Sequence, residues 1–184
     1  NNIYFWLLGG FIMVTITTGL LKDNALYQDI VDFILPKSTP DQYNAELMAY
    51  FAENNARFAV ALDDGVVVGT SLDFELPEDH TVLPRLADFF QSSGISNTDC
   101  VTPAGIFVDS NFSGQGIIDR LTVAMSEQSV ANGYTYAMAW GYETEDIFNY
   151  NEYIGSLIDT GVDDDHGYRI SLRTLQNTIN NLTN

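Results

Sequence analysis

Residues 105–121 of the chain read GIFVDSNFSGQGIIDRL, and this stretch decides the fold class. Apolar residues predict a strand over Val101–Val108, and a short polar loop follows it. Gly114 and Gly116 then open a helical pattern that we expect to continue to Asn132. A strand, a glycine-containing turn and a helix in this order indicate an α/β domain.

The turn between this strand and this helix has the features of an anion-binding site. The first N–H groups of a helix have no partner within the helix, and they lie at the positive end of its dipole. Glycines let a ligand approach the backbone closely. Together these features predict a pyrophosphate cradle, although a glycine turn that only packs is the alternative. No Gly-Lys-Ser/Thr of a P-loop is present, and Asp119 replaces the third glycine of a GxGxxG motif.

The flanking sequence predicts a mixed sheet of about six or seven strands flanked by helices. Further strands are expected over Phe11–Thr17, Arg57–Leu62, Val66–Phe74, Tyr134–Trp140 and Tyr168–Leu175. Helices are expected over Lys22–Leu35, Asp41–Asn54, Leu83–Gln91 and from about Glu145 to Ile158. The turn Asp63–Gly65 joins two strands in a hairpin, and a hairpin beside a β-α-β unit requires a mixed sheet.

The length of 184 residues predicts one domain over residues 1–184. Within it we expect an irregular or tag-like start over residues 1–10, a turn over Gly161–Asp165 and a frayed Asn-rich tail over residues 176–184. The uncharged stretch Tyr4–Leu21 reaches the lower length limit of a membrane span. Its glycines and its period of two favour a strand, and a membrane tether is the alternative.

The charge of the chain is strongly one-sided, with 7 Lys+Arg against 25 Asp+Glu and a net charge of −18. Such a surface repels phosphates, which disfavours binding to nucleic acid, and it attracts cationic partners and substrates. A solubility adaptation without a partner is the alternative. Cys100 is the one cysteine, so neither an intramolecular disulfide nor a cysteine zinc site is possible, and a cytoplasmic location is expected. His80 and His166 lack a nearby metal-ligand pattern, so no metal is expected.

The glycine turn resembles the signature of the GNAT superfamily of N-acetyltransferases. That signature is a strand, then Gln/Arg-x-x-Gly-x-Gly/Ala, then a helix that holds the pyrophosphate of acetyl-coenzyme A. The sequence SGQGII at residues 113–118 lies over it, and Phe107–Asp109 resembles the strand end before the loop. The sequence VVVG at residues 66–69 resembles the family's third strand. In element order the resemblance covers nearly the whole chain.

The resemblance implies acetyl-coenzyme A as cosubstrate, bound around the turn. The implied cofactor-binding residues are Phe107, Val108, Ser113, Gly114, Gln115, Gly116, Ile117, Ile118 and Arg120. Ser113 stands where the family usually has a basic or amide residue, and Ile118 where it has a small one. Arg120 would offset locally the repulsion between the phosphates of the coenzyme and an acidic chain.

The resemblance further implies direct transfer of an acetyl or acyl group to a primary amine within one ternary complex. The amine must lose a proton to attack, and Asp73 and Glu75, on one face of the third strand, are candidate bases. Asp109, at the end of the fourth strand, is another carboxylate in reach. In this family a tyrosine often gives a proton to the departing thiolate, and its position aligns with Leu157 here. Tyr150 and Tyr153 are the candidates that could take its place.

The acceptor implied by the charge is a small-molecule or peptide amine, cationic in character. Acidic residues that could line its pocket are Glu143, Glu145, Asp146 and Glu152. A second function stays open, in which a chain of the same fold has lost catalysis and acts as an acidic binding or regulatory protein. The residues at positions 113, 118 and 157 favour that alternative. Either function, the transferase or the binding protein, is compatible with a homodimer.

Overall fold

A computed structural model of the chain describes residues 14–22, 24–40, 42–75, 84–141, 154, 160–162 and 169–184. The strands are β1 Val14–Leu20, β2 Arg57–Asp63, β3 Val66–Glu75, β4 Cys100–Val108, β5 Tyr136–Gly141, β6 Thr160–Val162 and β7 Arg169–Thr174. The helices are α1 Tyr27–Ile34, α2 Ala45–Glu53, α3 Pro84–Ser93, α4 Ile117–Ala131 and α5 Leu175–Thr183. Short 3-10 turns lie at Leu35–Lys37, Asn97–Asp99 and Ser110–Phe112.

The seven strands form one mixed sheet in the order β1-β2-β3-β4-β5-β7-β6. The pairs β1/β2, β2/β3, β5/β7 and β6/β7 are antiparallel, whereas β4 and β5 are parallel. Asp64 and Gly65 both have positive φ, 48° and 82°, as the tight turn of the β2–β3 hairpin requires. The predicted mixed sheet with flanking helices is therefore confirmed.

Contacts within the chain define two compact units, and each has its own core. The first comprises residues 1–74 and 104–125, of which the described ones enclose two clusters. The α1–α2 cluster contains Ile30, Ile34, Met48, Phe51, Phe58, Val60 and Leu72. The α4 cluster contains Val14, Ile16, Ala59, Ala61, Ile117, Leu121, Ala124 and Met125. Alternate residues of β2 enter opposite clusters because strand side chains alternate between faces, so helices cover both faces of this part of the sheet.

The second unit comprises residues 75–103 and 126–184. One of its clusters contains Phe89 of α3 with Cys100, Met138 and Leu172 from the strands. The other contains Leu175 of α5 with Val101 and Ala137. Neighbouring residues of β4 and β5 again face opposite sides, so α3 and α5 cover opposite faces of these strands.

The C-terminal segment differs from the prediction, because residues 175–183 form α5 instead of a frayed tail. The side chain of Thr174 accepts a hydrogen bond from the backbone N–H of Asn177 and caps the helix. Leu175, Ile179 and Leu182 lie at helical spacing, and the many asparagines of this segment hid that pattern in the sequence.

Other predictions need adjustment, fall outside the described part of the chain or stay untested. Gly161 and Val162 lie in β6, not in a turn, because a three-residue strand is too short to show a periodicity. β1 continues beyond the predicted Thr17 to Leu20. The predicted helix over residues 145–158 lies outside the described residues except Ile154, as do residues 1–10. The single domain stays a prediction.

Among the helices that the structure describes, none is both long enough and apolar enough to cross a bilayer.

Candidate functional site

The glycine turn between β4 and α4 owes its shape to its two glycines. Gly114 and Gly116 have φ of 74° and 68°, a left-handed region in which a side chain is strained. The helix begins at Ile117, and its first intrahelical bond runs from the N–H of Arg120 to the carbonyl of Gly116. The N–H groups of Ile117 and Ile118, at the start of the helix, therefore have no partner within it and can bind an anion.

The space next to the two glycines is open. A Cβ atom built on Gly114 or on Gly116 would meet no other atom within 4 Å, and Ser113 is exposed like both glycines. These glycines are therefore needed for their backbone conformation and not for tight packing against a neighbouring element. A surface of exposed N–H groups at a helix N-terminus fits a phosphate or pyrophosphate.

Packing against β3 holds the start of α4 in place. Ile117 is buried, and a Cβ on Gly69 would lie 3.2 Å from its side chain. The same Cβ would lie 3.2 Å from the side chain of Leu121, so Gly69 is what lets the first two turns of α4 approach the strand. Val108 and Phe112 pack on the same α4 cluster. The turn is thus presented by a rigid scaffold.

The loop ahead of the turn is anchored through Asp109. Its backbone N–H donates to the carbonyl of Val68 (2.8 Å), and its side chain accepts from the N–H of Asn111 (2.9 Å). Lys37 lies 3.9 Å from the Asp109 carboxylate, with its ammonium group 3.9 Å above the ring of Phe33. No local pattern in the sequence predicts Lys37 at this place, because it and Asp109 are far apart along the chain.

The remaining predicted cofactor-binding residues face different surroundings. Ile118 is 41% exposed on the outer side of α4. Gln115 donates from its side chain to the carbonyl of Asn111 across the loop (3.4 Å). The guanidinium of Arg120 donates to the carbonyl of Val14 at the start of β1 (2.7 Å), and burial lowers its pKa. Phe107 faces away from the α4 cluster and packs on the α1–α2 cluster.

Asp73, one of the two predicted bases, lies in a buried ion pair. Its carboxylate is 2.9 Å from the Nε of Arg57, and the two residues are 4% and 3% exposed. They stand directly opposite each other on β2 and β3. A pair so deeply buried holds each charge in place, because removing one partner leaves the other uncompensated. A catalytic role for Asp73 stays a prediction.

Glu75, the other predicted base, is partly buried at the end of β3. The hydroxyl of Tyr134 donates to its Oε1 at 2.5 Å. Tyr134 lies just before β5, in the same compact unit as Glu75. A carboxylate held by a phenol in this way has a defined orientation for accepting a proton. The sequence analysis did not find Tyr134, which is 59 residues away along the chain.

The other predicted site residues lie where the structure does not test them. Tyr150, Tyr153 and the acidic residues 143, 145, 146 and 152 are outside the described part of the chain. Cys100 is buried, and burial together with the charge of Asp99 raises its pKa to about 12, so it is an unreactive thiol at neutral pH. Within the residues that the structure describes, no group of three His, Cys, Asp or Glu side chains is placed to hold a metal ion.

Comparison with known proteins finds solved structures of similar fold at low sequence identity. No family model and no curated protein matches the sequence. A GNAT family N-acetyltransferase from Escherichia coli in complex with coenzyme A is similar at a TM-score of 0.60 and 17% identity, over 90% of this chain and 84% of that one. A polyamine N-acetyltransferase from Drosophila melanogaster is similar at a TM-score of 0.55 and 12% identity, over 86% of this chain and 99% of that one. An N-acetyltransferase from Staphylococcus aureus Mu50 is similar at a TM-score of 0.53 and 14% identity, over 88% of this chain and 96% of that one.

Proposed function

We propose that this chain, which has the fold of the GNAT superfamily of N-acetyltransferases, transfers an acetyl or acyl group from acyl-coenzyme A to a primary amine. The acceptor is a cationic small molecule or peptide, and its amine, once it has lost a proton, attacks the thioester directly in a ternary complex. The observation that carries the proposal is the turn at Gly114 and Gly116, left-handed at both glycines and open above them.

The residues of the turn divide the binding of the coenzyme between them. The N–H groups at the start of α4 receive the pyrophosphate, and the hydroxyl of Ser113 is one more donor. No basic side chain stands at position 113, so the cradle relies on backbone groups more than on a full charge. Lys37 lies beside the loop that leads into the turn and supplies a positive charge there. The whole chain has only 7 lysine and arginine residues.

Glu75 is the better placed of the two candidate bases. Asp73 is used in a buried ion pair with Arg57, which its protonation would break. Glu75 is partly exposed and oriented by Tyr134, so it can accept the amine proton without that penalty. The proton that leaves the amine finally resides on the coenzyme A thiol, carried there by solvent or by a tyrosine such as Tyr150 or Tyr153.

The net charge of −18 supports a cationic acceptor. An acidic surface raises the local concentration of cations and speeds their encounter with the protein. One structure of similar fold is a polyamine acetyltransferase that forms N-acetylagmatine, which makes agmatine a sensible first acceptor to assay.

Binding of acetyl-coenzyme A, measured by calorimetry, tests the proposal. The variant is Gly116→Ala, and the matched control is Gly133→Ala at the other end of α4. Both glycines have left-handed φ and open space, so either alanine costs about 1–2 kcal/mol of strain. Only Gly116→Ala should weaken the affinity, by about tenfold or more, because its methyl group enters the open space that the phosphate would fill and moves the phosphate away from the N–H groups.

Two outcomes would contradict this assignment. If the wild type gives neither heat nor a thermal shift with millimolar acetyl-coenzyme A, the chain is not the proposed enzyme, and the acidic binding protein of the same fold replaces it. If both alanine variants bind as the wild type does, the turn at Gly116 does not hold the coenzyme.

A further inference from the structure

The alternation of side chains along β4 is broken in the middle of the strand. Ala104 and Phe107 pack on the α1–α2 cluster, whereas Ile106 and Val108 pack on the α4 cluster. Residues on one face of a regular strand are two apart, but Ala104 and Phe107 are three apart. The strand therefore contains an irregularity at Gly105, of the kind that re-aims side chains next to functional sites.

The ring of Tyr43 lies against this irregularity in a fixed orientation. Tyr43 comes just before Asn44, whose side chain caps α2. Its ring packs edge-to-face on Phe107, with centroids 5.2 Å apart, and tilted on Phe51 at 6.4 Å. The backbone N–H of Tyr43 donates to the carbonyl of Thr39 (2.9 Å), so the chain on both sides of the ring is held.

The hydroxyl of Tyr43 occupies the place where residue 105 would carry a side chain. A Cβ built on Gly105 would lie 2.5 Å from the Tyr43 hydroxyl, closer than any real contact of this kind. Only glycine lets the phenol reach the strand backbone here. Because the ring packs on Phe107 and Phe51, the hydroxyl could make room only by giving up part of that packing.

This hydroxyl has a hydrogen to donate and, among the described residues, no protein group to receive it. Tyr43 is partly buried, so its hydroxyl can donate to a water or to a ligand. Burial raises the pKa of Tyr43 to about 12, so the group stays a neutral O–H donor at physiological pH. Since the pKa of an ordinary cysteine thiol is about 8.5, well below that of Tyr43, a thiolate would accept a hydrogen bond from Tyr43 but not its proton.

The distance along β4 matches the length of the coenzyme's arm. Gly105 lies four residues before Asp109, which corresponds to about 13 Å of strand. About twelve bonds join the phosphate oxygen to the sulfur in the pantetheine arm, as many as in four extended residues, so the arm spans about 14 Å. With the phosphate end of the arm at the level of Asp109, where β4 has ended, an arm that follows β4 backwards brings the thioester to the level of Gly105.

We propose that the hydroxyl of Tyr43 donates a hydrogen bond to the carbonyl oxygen of the acyl thioester, and that Gly105 is glycine to permit this contact. The inference rests on the proposed function. As the amine lone pair forms the new C–N bond, the carbonyl electron pair moves onto oxygen, where Tyr43 stabilises it without giving up its proton. The C–S bond then breaks with its electron pair on sulfur, and the proton lost by the amine ends on the thiol.

The test compares Tyr43→Phe with the wild type in the binding of two ligands, acetyl-coenzyme A and free coenzyme A. Phenylalanine keeps the ring packing and removes only the hydroxyl. The affinity for acetyl-coenzyme A should fall about threefold to tenfold, while that for free coenzyme A stays within about twofold, because only the former has the carbonyl. Turnover with acetyl-coenzyme A and agmatine should fall about 100-fold, since the hydrogen bond strengthens as charge develops on oxygen.

The matched control is Tyr50→Phe, which removes an exposed hydroxyl from α2 and should change neither affinity nor turnover. Equal weakening of both ligands by Tyr43→Phe would indicate a structural role and overturn the proposal, as would unchanged binding and turnover. Either result, with coenzyme A still bound, would leave the proposed transferase standing. A wild type that binds neither ligand would overturn both.

Gly105→Ala provides a second, independent variant. Its Cβ displaces the Tyr43 hydroxyl, so it should abolish the preference for acetyl-coenzyme A over free coenzyme A as Tyr43→Phe does. Retention of that preference in a folded Gly105→Ala protein would contradict the proposed contact.

Discussion

Two carboxylates of β3, only two positions apart, have different surroundings. Asp73 is buried against Arg57, whereas Glu75 is partly exposed and accepts a hydrogen bond from Tyr134. Strand alternation, which the sequence shows, places both on one face of the sheet. The sequence does not predict which residues they contact. Their different partners, an arginine on β2 and a tyrosine before β5, suit one for stability and the other for proton transfer.

Asp73→Asn is expected to destabilise the protein by about 3–5 kcal/mol, because the charge of Arg57 is left buried without its carboxylate. Urea unfolding followed by circular dichroism measures this loss. Asp63→Asn, at the other end of β2 and partly exposed, is the control and should stay within about 0.5 kcal/mol of the wild type. A loss below about 1 kcal/mol at position 73 would show that the ion pair contributes little.

Glu75→Gln is expected to lower kcat about 100-fold without changing the affinity for acetyl-coenzyme A, since an amide cannot take the proton of the amine. Tyr134→Phe should lower kcat less. The double variant should be no slower than Glu75→Gln alone, because Tyr134 acts through Glu75. Steady-state kinetics with agmatine provide the measurement, with Glu127→Gln on the exposed side of α4 as control. An additive double variant would assign Tyr134 a separate role.

At the scale of elements, the contact between α4 and β3 decides where the turn stands. The helix starts at Ile117, directly after Gly116, and its first two turns lie on Gly69. The sequence VVVG at residues 66–69, which contains Gly69, resembles the third strand of the GNAT family. Its physical reason is visible only when the helix is packed on the strand, because Gly69 and Leu121 are far apart in the chain.

Gly69→Ala should push the start of α4 away from β3, because its Cβ comes within 3.2 Å of both Ile117 and Leu121. Overpacking of this kind costs about 1–3 kcal/mol. The affinity for acetyl-coenzyme A should fall at the same time, since the turn moves with the helix. Urea unfolding and calorimetry measure the two effects, and a destabilised variant with unchanged affinity would show that the turn is independent of this contact.

The elements that sequence reasoning found were those with a clear period or a clear turn. The β2–β3 hairpin, β4 and α4 have a clear period and lie next to a clear turn. Their predicted ends are within a few residues of the observed ones. β6 is too short for a period, and α5 is hidden by its asparagines. The ends of helices were set by caps, such as Asn44 before α2, that composition alone does not reveal.

For the molecule as a whole, the net charge of −18 acts on both proposed substrates. The field of an acidic protein repels an anionic coenzyme and attracts a cationic amine, and salt screens both effects. The two substrates should therefore respond to ionic strength in opposite directions.

Raising the salt concentration is expected to lower KM for acetyl-coenzyme A and to raise KM for agmatine. Kinetics at low and at physiological ionic strength measure both constants, and an uncharged primary amine as acceptor is the control whose KM should not change. A KM for acetyl-coenzyme A that rises with salt would show that local cations such as Lys37 outweigh the field of the whole chain.

The sequence by itself determined the local features of this protein: the hairpin, the strand–turn–helix and the two glycines of the turn. These depend on residues within about one element of each other, whose spacing and backbone preferences are readable in a row. Only the tertiary structure decided that Asp73 meets Arg57, that Glu75 meets Tyr134 and that Tyr43 lies on Gly105. Those contacts join residues from different elements, and a linear pattern does not record which distant side chains a packed core brings together.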